Sequence, residues 1–253
     1  MCGRFAIEGT GEEFAALVGV IDVDMFVSRY NIAPTQPILV VSAGHPREPG
    51  SNLPDRRSML VRWGLIPSWA KNPKDLPLLI NARSETAAEK NAFKAAMRHR
   101  RVLIPASGFY EWRREKGKTG QAYWIRPKRG GMIAFGGLME TWAEPGGSEI
   151  DTGAILTTAA NEAVSHIHDR MPVVIRPEDF GRWLDCRGQE PRDVADLMRP
   201  VEPDYFEFIP VSDKVNKVAN TGPDLQDRVE PVVTVDQPKP KKDAAAGGQL
   251  KLF

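Results

Sequence analysis

Short β-type segments separated by turn residues constrain the fold of this 253-residue chain more than any other feature. Eight runs rich in β-branched and aromatic residues are bounded by Gly, Pro or Asn, a pattern that predicts short strands. They are Pro37–Ser42, Met59–Trp63, Arg101–Ile104, Phe109–Arg113, Ala122–Ile125, Met132–Leu138, Ala154–Thr158 and Val173–Ile175. The 22 Gly and 21 Pro also disfavour long helices, so a helical bundle or a coiled coil is not expected.

A few short helices interrupt the strands without alternating with them. A capping-box pattern at 10–13 predicts one helix, and further helices are predicted over 84–97, 177–184 and 191–198. Irregularly placed helices beside many strands indicate an α+β fold. We therefore predict a single strand-rich domain, with a mainly antiparallel sheet or a barrel-like core and a few short peripheral helices.

The composition of the chain changes near residue 230. Residues 1–229 predict one domain, whereas 230–253 form a basic stretch rich in Pro, Ala and Gly that cannot bury a core. We expect this second segment to be a flexible tail. It ends in the apolar peptide Gln249-Leu250-Lys251-Leu252-Phe253.

Cysteine content and hydropathy exclude several classes of protein. Cys2 and Cys186 are the only cysteines, which argues against a disulfide framework and a cysteine-based zinc site. His166 and His168 have no cluster of carboxylates or cysteines around them, so no metal and no cofactor are expected. No apolar run approaches a bilayer span, and the N-terminus lacks a signal-peptide pattern. We expect a cytoplasmic protein that does not associate with membranes.

The formal net charge of +1 conceals one strongly basic stretch. Residues 98–118 contain seven Lys and Arg against two Glu. Such a run is either a solvated helix end and hairpin tip or a surface that binds phosphate groups. The sequence leaves both interpretations open.

Cys2 is chemically unusual because removal of Met1 by methionine aminopeptidase would leave a free N-terminal cysteine. Its amine (pKa about 7.7–8.0) and its thiol (about 8.5) both have a nucleophilic fraction near neutral pH. Such a 1,2-aminothiol captures aldehydes, because the amine forms an imine and the thiol then closes a thiazolidine ring. It could instead attack an amide. The ordinary alternative is a small buried residue at a first strand.

Six spaced motifs place these features in a family context. In chain order they are Cys2-Gly3-Arg4-Phe5, Arg29-Tyr30-Asn31-Ile32-Ala33-Pro34, Arg62-Trp63-Gly64-Leu65-Ile66-Pro67, Asn81-Ala82-Arg83-Ser84-Glu85-Thr86, Gly108-Phe109-Tyr110-Glu111-Trp112 and His168-Asp169-Arg170-Met171-Pro172. Over about residues 2–222 the chain resembles the SRAP family of abasic-site processing proteins. The resemblance implies an α+β domain that binds single-stranded DNA and captures abasic sites through the N-terminal cysteine.

The resemblance also implies catalytic roles for three further residues. Glu111 falls on the family's acid/base position, where apolar neighbours would raise its pKa; otherwise it is a surface-facing strand residue. His168 falls on the family's catalytic histidine and would donate a proton to the sugar oxygen, rather than merely packing in a turn. Asn81 would orient the cysteine amine or a sugar hydroxyl; a capping role is the alternative.

DNA-binding residues are predicted beside these catalytic ones. Arg4, Arg83 and Arg170 neighbour Cys2, Asn81 and His168, and guanidinium groups bind phosphates bidentately. Structural ion pairs of these arginines with Glu85 and Asp169 are the competing interpretation. Trp63 ends a predicted strand and should belong to the core, which leaves Trp69 as the candidate for stacking on unpaired bases.

The C-terminal peptide resembles the motif that binds the bacterial sliding clamp. Gln249, Leu250, Leu252 and Phe253 would fill a pocket on that partner, and the tail would act as a tether. An incidental apolar terminus is the alternative. Together these features predict a nucleoid-associated DNA-damage protein that crosslinks covalently to abasic sites, shields them and later releases them.

The family's peptidase name implies N-terminal self-processing, and here only Met1 precedes Cys2. Two other hypotheses remain open. One is an N-terminal-nucleophile amidohydrolase with no dependence on DNA. The other is a clamp-tethered single-strand-binding adaptor in which Cys2 is inert.

Overall fold

The computed structural model describes residues 2–20, 26–44, 55–113, 120–144 and 146–231. Within these ranges the strands are β1 (Phe5–Ile7), β2 (Arg29–Ile32), β3 (Pro37–Ala43), β4 (Arg56–Trp63), β5 (Asn81–Arg83), β6 (Arg101–Ala106), β7 (Gly108–Arg113), β8 (Gln121–Pro127), β9 (Ile133–Ala143), β10 (Glu149–Ala159), β11 (Arg170–Pro172), β12 (Val174–Ile175) and β13 (Phe206–Val211). The α-helices are α1 (Gly11–Val18), α2 (Lys94–His99), α3 (Glu162–Ser165) and α4 (Phe180–Leu184). Short 3₁₀ segments occupy Pro73–Asp75, Pro177–Asp179, Pro191–Met198, Asp213–Asn216 and Pro223–Gln226.

Five strands close into a barrel. Strand β3 pairs with β4 and β6, β9 pairs with β6 and β10, and a parallel pairing of β4 with β10 completes the ring. Strands β5, β11 and β12 extend this sheet at β10 and β9. The predicted α+β fold with a barrel-like core and few short helices is confirmed.

A second, fully antiparallel sheet packs beside the barrel in the order β13-β8-β7-β1-β2. Buried aromatic rings join the two sheets: Phe5 lies 5.2 Å from Trp63, and Phe109 lies 6.2 Å from Phe135, both measured between ring centroids. Edge-to-face pairs of this kind add about 0.5–1.5 kcal/mol each beyond the burial of apolar area. Trp63 is completely buried, as the sequence predicted.

The barrel has two ends that the strand directions define. Strand β6 ends beside β1, where the backbone N–H of Ser107 donates to the carbonyl of Ala6; we call this the β1 end. The other is the Arg101 end, where β6 begins and β3 ends. A six-residue strand such as β6 separates the two ends by about 17 Å.

The predicted helix over 84–97 is wrong over most of its length. Residues 84–93 form consecutive turns, and the helix α2 begins only at Lys94. The backbone N–H of Ser84 donates to Thr157 of β10, and the Glu85 carboxylate binds Arg170 instead of capping the chain. Hydrogen bonds to residues distant in the sequence therefore replace the capping interactions that the local pattern predicted. By contrast, the capping box of Thr10 and Glu13 forms as predicted.

The other two predicted helices are shorter or tighter than expected. Residues 177–184 contain a 3₁₀ turn followed by α4, and Pro191–Met198 is a 3₁₀ helix. Among the described residues no helix is long and apolar enough to cross a membrane.

Candidate active site

Cys2 enters the molecule alongside β7. The antiparallel register pairs Phe5 with Phe109, and the N–H of Tyr110 donates to the carbonyl of Arg4 at 2.9 Å. Extending this register places Gly3 opposite Glu111 and Cys2 one residue further along β7. Cys2 is completely buried, and its Sγ lies 3.9 Å from the carbonyl oxygen of Arg4.

Asn81 fixes the backbone of Cys2 from the barrel side. Strand β5 holds Asn81 opposite Ile155 of β10, and its side-chain Nδ2 donates to the Cys2 carbonyl at 2.9 Å. The Asn81 Oδ1 is buried and has no hydrogen-bond partner among the described residues. A buried acceptor without a donor costs free energy, so this atom is suited to receive an N–H or O–H group.

Glu111 is buried within β7, with 3% of its surface exposed. The sequence left open a surface-facing residue, and the structure excludes that interpretation. Burial raises the pKa of the Glu111 carboxyl, and the neighbouring His168 partly opposes that rise. A carboxyl with a raised pKa holds its proton closer to neutral pH, as a general acid/base requires.

The Cys2 thiol responds to the same environment. Burial is the main reason that its pKa is raised, and the negative charge of Glu111 raises it further. The neutral thiol is therefore the favoured form while the site is closed to water.

His168 lies between α3 and β11, where its ring can adopt a defined tautomer. Its Nδ1 is 3.0 Å from the backbone N of Arg170 and 2.9 Å from Oδ1 of Asp169. When the ring is neutral, Nδ1 accepts from Arg170 and the proton resides on Nε2. When the ring is protonated, Nδ1 donates to Asp169. The protonated ring can therefore release its Nε2 proton and remain neutral as the tautomer whose Nδ1–H donates to Asp169.

The fold gathers the four predicted catalytic residues from separate parts of the chain. Asn81 contacts Cys2, and the pKa shifts show electrostatic coupling of Glu111 to both Cys2 and His168. The ring of His166 packs against that of Phe208, with 5.6 Å between the ring centroids. The described residues contain no group of three or more side chains arranged to hold a metal.

The three predicted DNA-binding arginines differ in how they are held. Arg170 makes a bidentate ion pair with Glu85, at 2.7 and 2.8 Å, which is the structural pairing that the sequence left open. Its Nε is buried without a partner among the described residues. Arg83 is exposed at the end of β5. Arg4 donates from Nη1 to Asn31 and to the carbonyl of Val215.

Asn31 is a residue whose role the sequence analysis missed. It is buried, accepts from Arg4 at 2.8 Å, and donates to the carbonyls of Lys217 and Asn220 at 3.1 and 2.7 Å. Asn31 therefore ties the segment 215–220 to the strand that follows Cys2. Its presence in one of the six motifs was the available signal.

Two tryptophans are at least partly exposed at the surface. Trp69 is 58% exposed, in keeping with a role in contact, although its indole N–H donates to the carbonyl of Asn91. Trp112 follows Glu111, is only partly buried, and donates from Nε1 to Oδ1 of Asn216 at 2.8 Å. The predicted clamp-binding residues Gln249, Leu250, Leu252 and Phe253 lie outside the described residues.

Comparison with known proteins identifies solved structures with the same fold and relatives with a similar sequence. Solved structures of proteins from Bacteroides thetaiotaomicron (TM-score 0.78, 21% identity, covering 90% of this chain and 100% of that one) and Bordetella bronchiseptica (0.70, 22%, 83% and 100%) share the fold. The abasic site processing protein YoqW of Bacillus subtilis is 38% identical over 89% of this chain and 98% of its own length.

YedK of Escherichia coli, also named an abasic site processing protein, is 35% identical over 92% of this chain and 100% of its own length. Mouse HMCES, with the same descriptive name, is 31% identical over 80% of this chain and 65% of its own length. The family model described as SOS response associated peptidase (SRAP) matches residues 1–218. With the match spanning the barrel, the second sheet and all four site residues, this chain belongs to the SRAP family.

Proposed function

We propose that this protein processes abasic sites in single-stranded DNA by capturing them covalently through Cys2, after Met1 has been removed. The observation that carries the proposal is the convergence of Cys2, Asn81, Glu111 and His168, of which Cys2 and Glu111 are buried and Asn81 and His168 half-buried. The names of the relatives YoqW, YedK and HMCES support the choice of substrate.

The proposed reaction uses both nucleophilic groups of a free N-terminal cysteine. The abasic deoxyribose first opens from its hemiacetal to an aldehyde. The Cys2 amine adds to the aldehyde carbon, and loss of one water gives an imine. The thiol then adds to the same carbon while its proton passes to nitrogen, which closes the five-membered thiazolidine. One water leaves overall, and neither an oxidant nor a reductant is needed.

Glu111 and His168 supply the proton transfers that these steps require. His168, in the protonated form whose Nδ1–H donates to Asp169, is suited to transfer its Nε2 proton to the ring oxygen as the hemiacetal opens. Glu111, whose pKa is raised by burial, is suited to protonate the departing hydroxyl and to act as base in the reverse direction. Running the steps backwards would release the DNA, as the sequence analysis anticipated.

Asn81 and the arginines orient the substrate in this proposal. The open Oδ1 of Asn81 would accept a hydrogen bond from the Cys2 amine or from a sugar hydroxyl. Arg4, Arg83 and Arg170 would contact flanking phosphates, and Trp69 would stack on an unpaired base. Arg170 would have to exchange Glu85 for a phosphate, or bind one through its open Nε.

The C-terminal peptide adds a second proposed partner. Gln249, Leu250, Leu252 and Phe253 would bind the bacterial sliding clamp and keep the domain close to replicating DNA, at the nucleoid. This part of the proposal depends on the sequence pattern alone. A binding assay between the clamp and the full chain, with Leu252→Ala and Phe253→Ala in a control chain, tests it; equal affinity of both chains would contradict it.

The test of covalent capture mixes the mature protein with a single-stranded oligonucleotide that carries one abasic site. We expect a denaturant-resistant band and an intact mass equal to the sum of protein and DNA less one water. An oligonucleotide without the abasic site, the Cys2→Ala variant and a form that retains Met1 should give no adduct. Absence of an adduct with verified removal of Met1 would contradict capture and leave amide hydrolysis or plain DNA binding to be tested.

A further inference from the structure

A second concave site lies at the Arg101 end of the barrel. It is a cavity of about 410 Å³ between the end of β3, the start of β6 and the loop after α4. Its polar lining consists chiefly of Ser42, Arg57, His99, Arg100, Arg101 and Arg187. The cavity is distinct from the candidate active site, because none of Cys2, Asn81, Glu111 and His168 lines it.

Arg101 places a positive charge at the base of this cavity. Only 1% of its surface is exposed, and its guanidinium donates to the carbonyls of Met97, Trp183, Asp185 and Gln189 at 2.7–3.0 Å. These acceptors are neutral, and no described carboxylate lies within ion-pair distance of Arg101. Because arginine keeps its proton in proteins, this buried guanidinium contributes a positive charge at the base of the cavity, which the carboxylates of Asp185 and Asp193 partly offset.

The rim of the cavity adds further positive charge. Arg57 and Arg187 are exposed, and the Nε of Arg57 donates to Ser42 at 3.2 Å. Arg100 is partly neutralised by Glu140, at 3.3 Å. Among the described residues that line the cavity there are thus four arginines and one acidic residue, Asp185.

That acidic residue is already engaged by the backbone. The Oδ1 of Asp185 accepts from the backbone N–H groups of Arg187 and Gly188, at 3.1 and 2.8 Å. Its carboxylate is therefore used to shape the loop that presents Arg187. These hydrogen bonds do not remove the negative charge of Asp185, but the arginines that line the cavity outnumber it, and the net positive lining favours binding of an anion.

We propose that this cavity binds a phosphate group. Guanidinium groups match the geometry of phosphate oxygens, and a dianion would neutralise both the rim and the buried Arg101. The phosphate could belong to a strand of nucleic acid that passes the Arg101 end, or to a free nucleotide. This gives a role to residues 99–101 of the basic stretch, and it does not depend on the chemistry of Cys2.

The test uses exposed residues so that folding is preserved. Arg57→Gln and Arg187→Gln are combined in one variant, and Lys128→Gln with Arg129→Gln is the matched control, because both of those residues are exposed outside this cavity. Equal melting temperatures for all three proteins establish that the fold is intact. Arg101 itself is left unchanged because its removal would leave buried carbonyl groups without donors.

Two probes distinguish the sources of the phosphate. Calorimetry measures the affinity for inorganic pyrophosphate. Fluorescence anisotropy measures binding of an unmodified single strand of about 20 nucleotides as salt rises, where each phosphate contact contributes about 0.7 to the slope of log K against log salt.

For the cavity variant, we expect pyrophosphate affinity to fall about tenfold or more while the control stays near wild type. A decrease of about 1.4 in the salt slope for the strand would identify nucleic acid as the source. Weaker pyrophosphate binding with an unchanged slope would identify a free phosphorylated ligand. Wild type that fails to bind pyrophosphate, together with an unchanged slope, would overturn the proposal.

Discussion

The buried amide of Asn31 offers a direct test of what holds the candidate site together. Replacing Asn31 with Ala removes three well-formed hydrogen bonds: one from Arg4 and one each to the carbonyls of Lys217 and Asn220. A net contribution of about 1 kcal/mol for each buried bond predicts a loss of about 3 kcal/mol in the free energy of unfolding. For a domain of this size, the melting temperature should fall by about 6–12 °C.

Thermal unfolding followed by circular dichroism measures this effect, with Asn72→Ala as the matched control. Asn72 is exposed and makes only local bonds at the start of a 3₁₀ turn, to Lys74 and Asp75. Its removal should cost less than about 1 kcal/mol. The reasoning is refuted if the two variants melt within about 2 °C of each other, a difference of at most about 1 kcal/mol.

Three further predictions concern the residues around the site. Glu111→Gln should slow adduct formation by about 10²–10⁴-fold in single-turnover gel assays. Burial raises the pKa of Glu111, so ionisation of this carboxyl costs folding free energy as the pH rises through that pKa. Glu111→Gln should therefore raise the melting temperature at pH 8 but not at pH 4. A rise at pH 4 without one at pH 8 would contradict this reasoning.

Trp69→Ala should weaken single-strand binding by about 1–3 kcal/mol in anisotropy titrations without lowering the melting temperature, and unchanged affinity would exclude stacking. Glu85→Gln should free Arg170 and increase DNA affinity, whereas a decrease would mean that the ion pair positions Arg170.

Local sequence patterns were sufficient to predict most of the strands. The alternation and the turn residues around 109–113, for example, correspond to β7 (Gly108–Arg113). Closure of the barrel was not predictable, since the parallel pairing of β4 with β10 joins residues about 90 positions apart, as in Arg62 with Thr152. The helix predicted over 84–97 was wrong because Ser84 and Glu85 bind strand β10 and Arg170, and a rule based on neighbouring residues in the sequence does not include such distant partners.

The polar residues of the interior were the hardest to predict. Arg101 belonged to a basic run in the sequence, yet it is buried and bridges four backbone carbonyls. Asn31 and Glu111 are also buried, although residue type alone would place both at the surface. Each of these buried polar side chains is stable only because segments distant in the sequence bind it or cover it. Motif positions identified Glu111, whereas nothing local indicated the hydrogen bonds of Arg101.

Burial of Cys2 determines which nucleophile should act first in the proposed capture. Because burial raises the pKa of the thiol, whereas a free α-amino group ordinarily has a pKa of about 7.7–8.0, we expect the amine to be the more available nucleophile near neutral pH. The thiol then closes the ring and delivers its own proton to nitrogen. Cys2→Ser keeps the amine, so it should still form an imine, which borohydride reduction traps. Without borohydride we expect no stable adduct. Failure of Cys2→Ser to form any trapped product, with Met1 removed and DNA binding intact, would contradict initial attack by the amine and indicate that the sulfur attacks first.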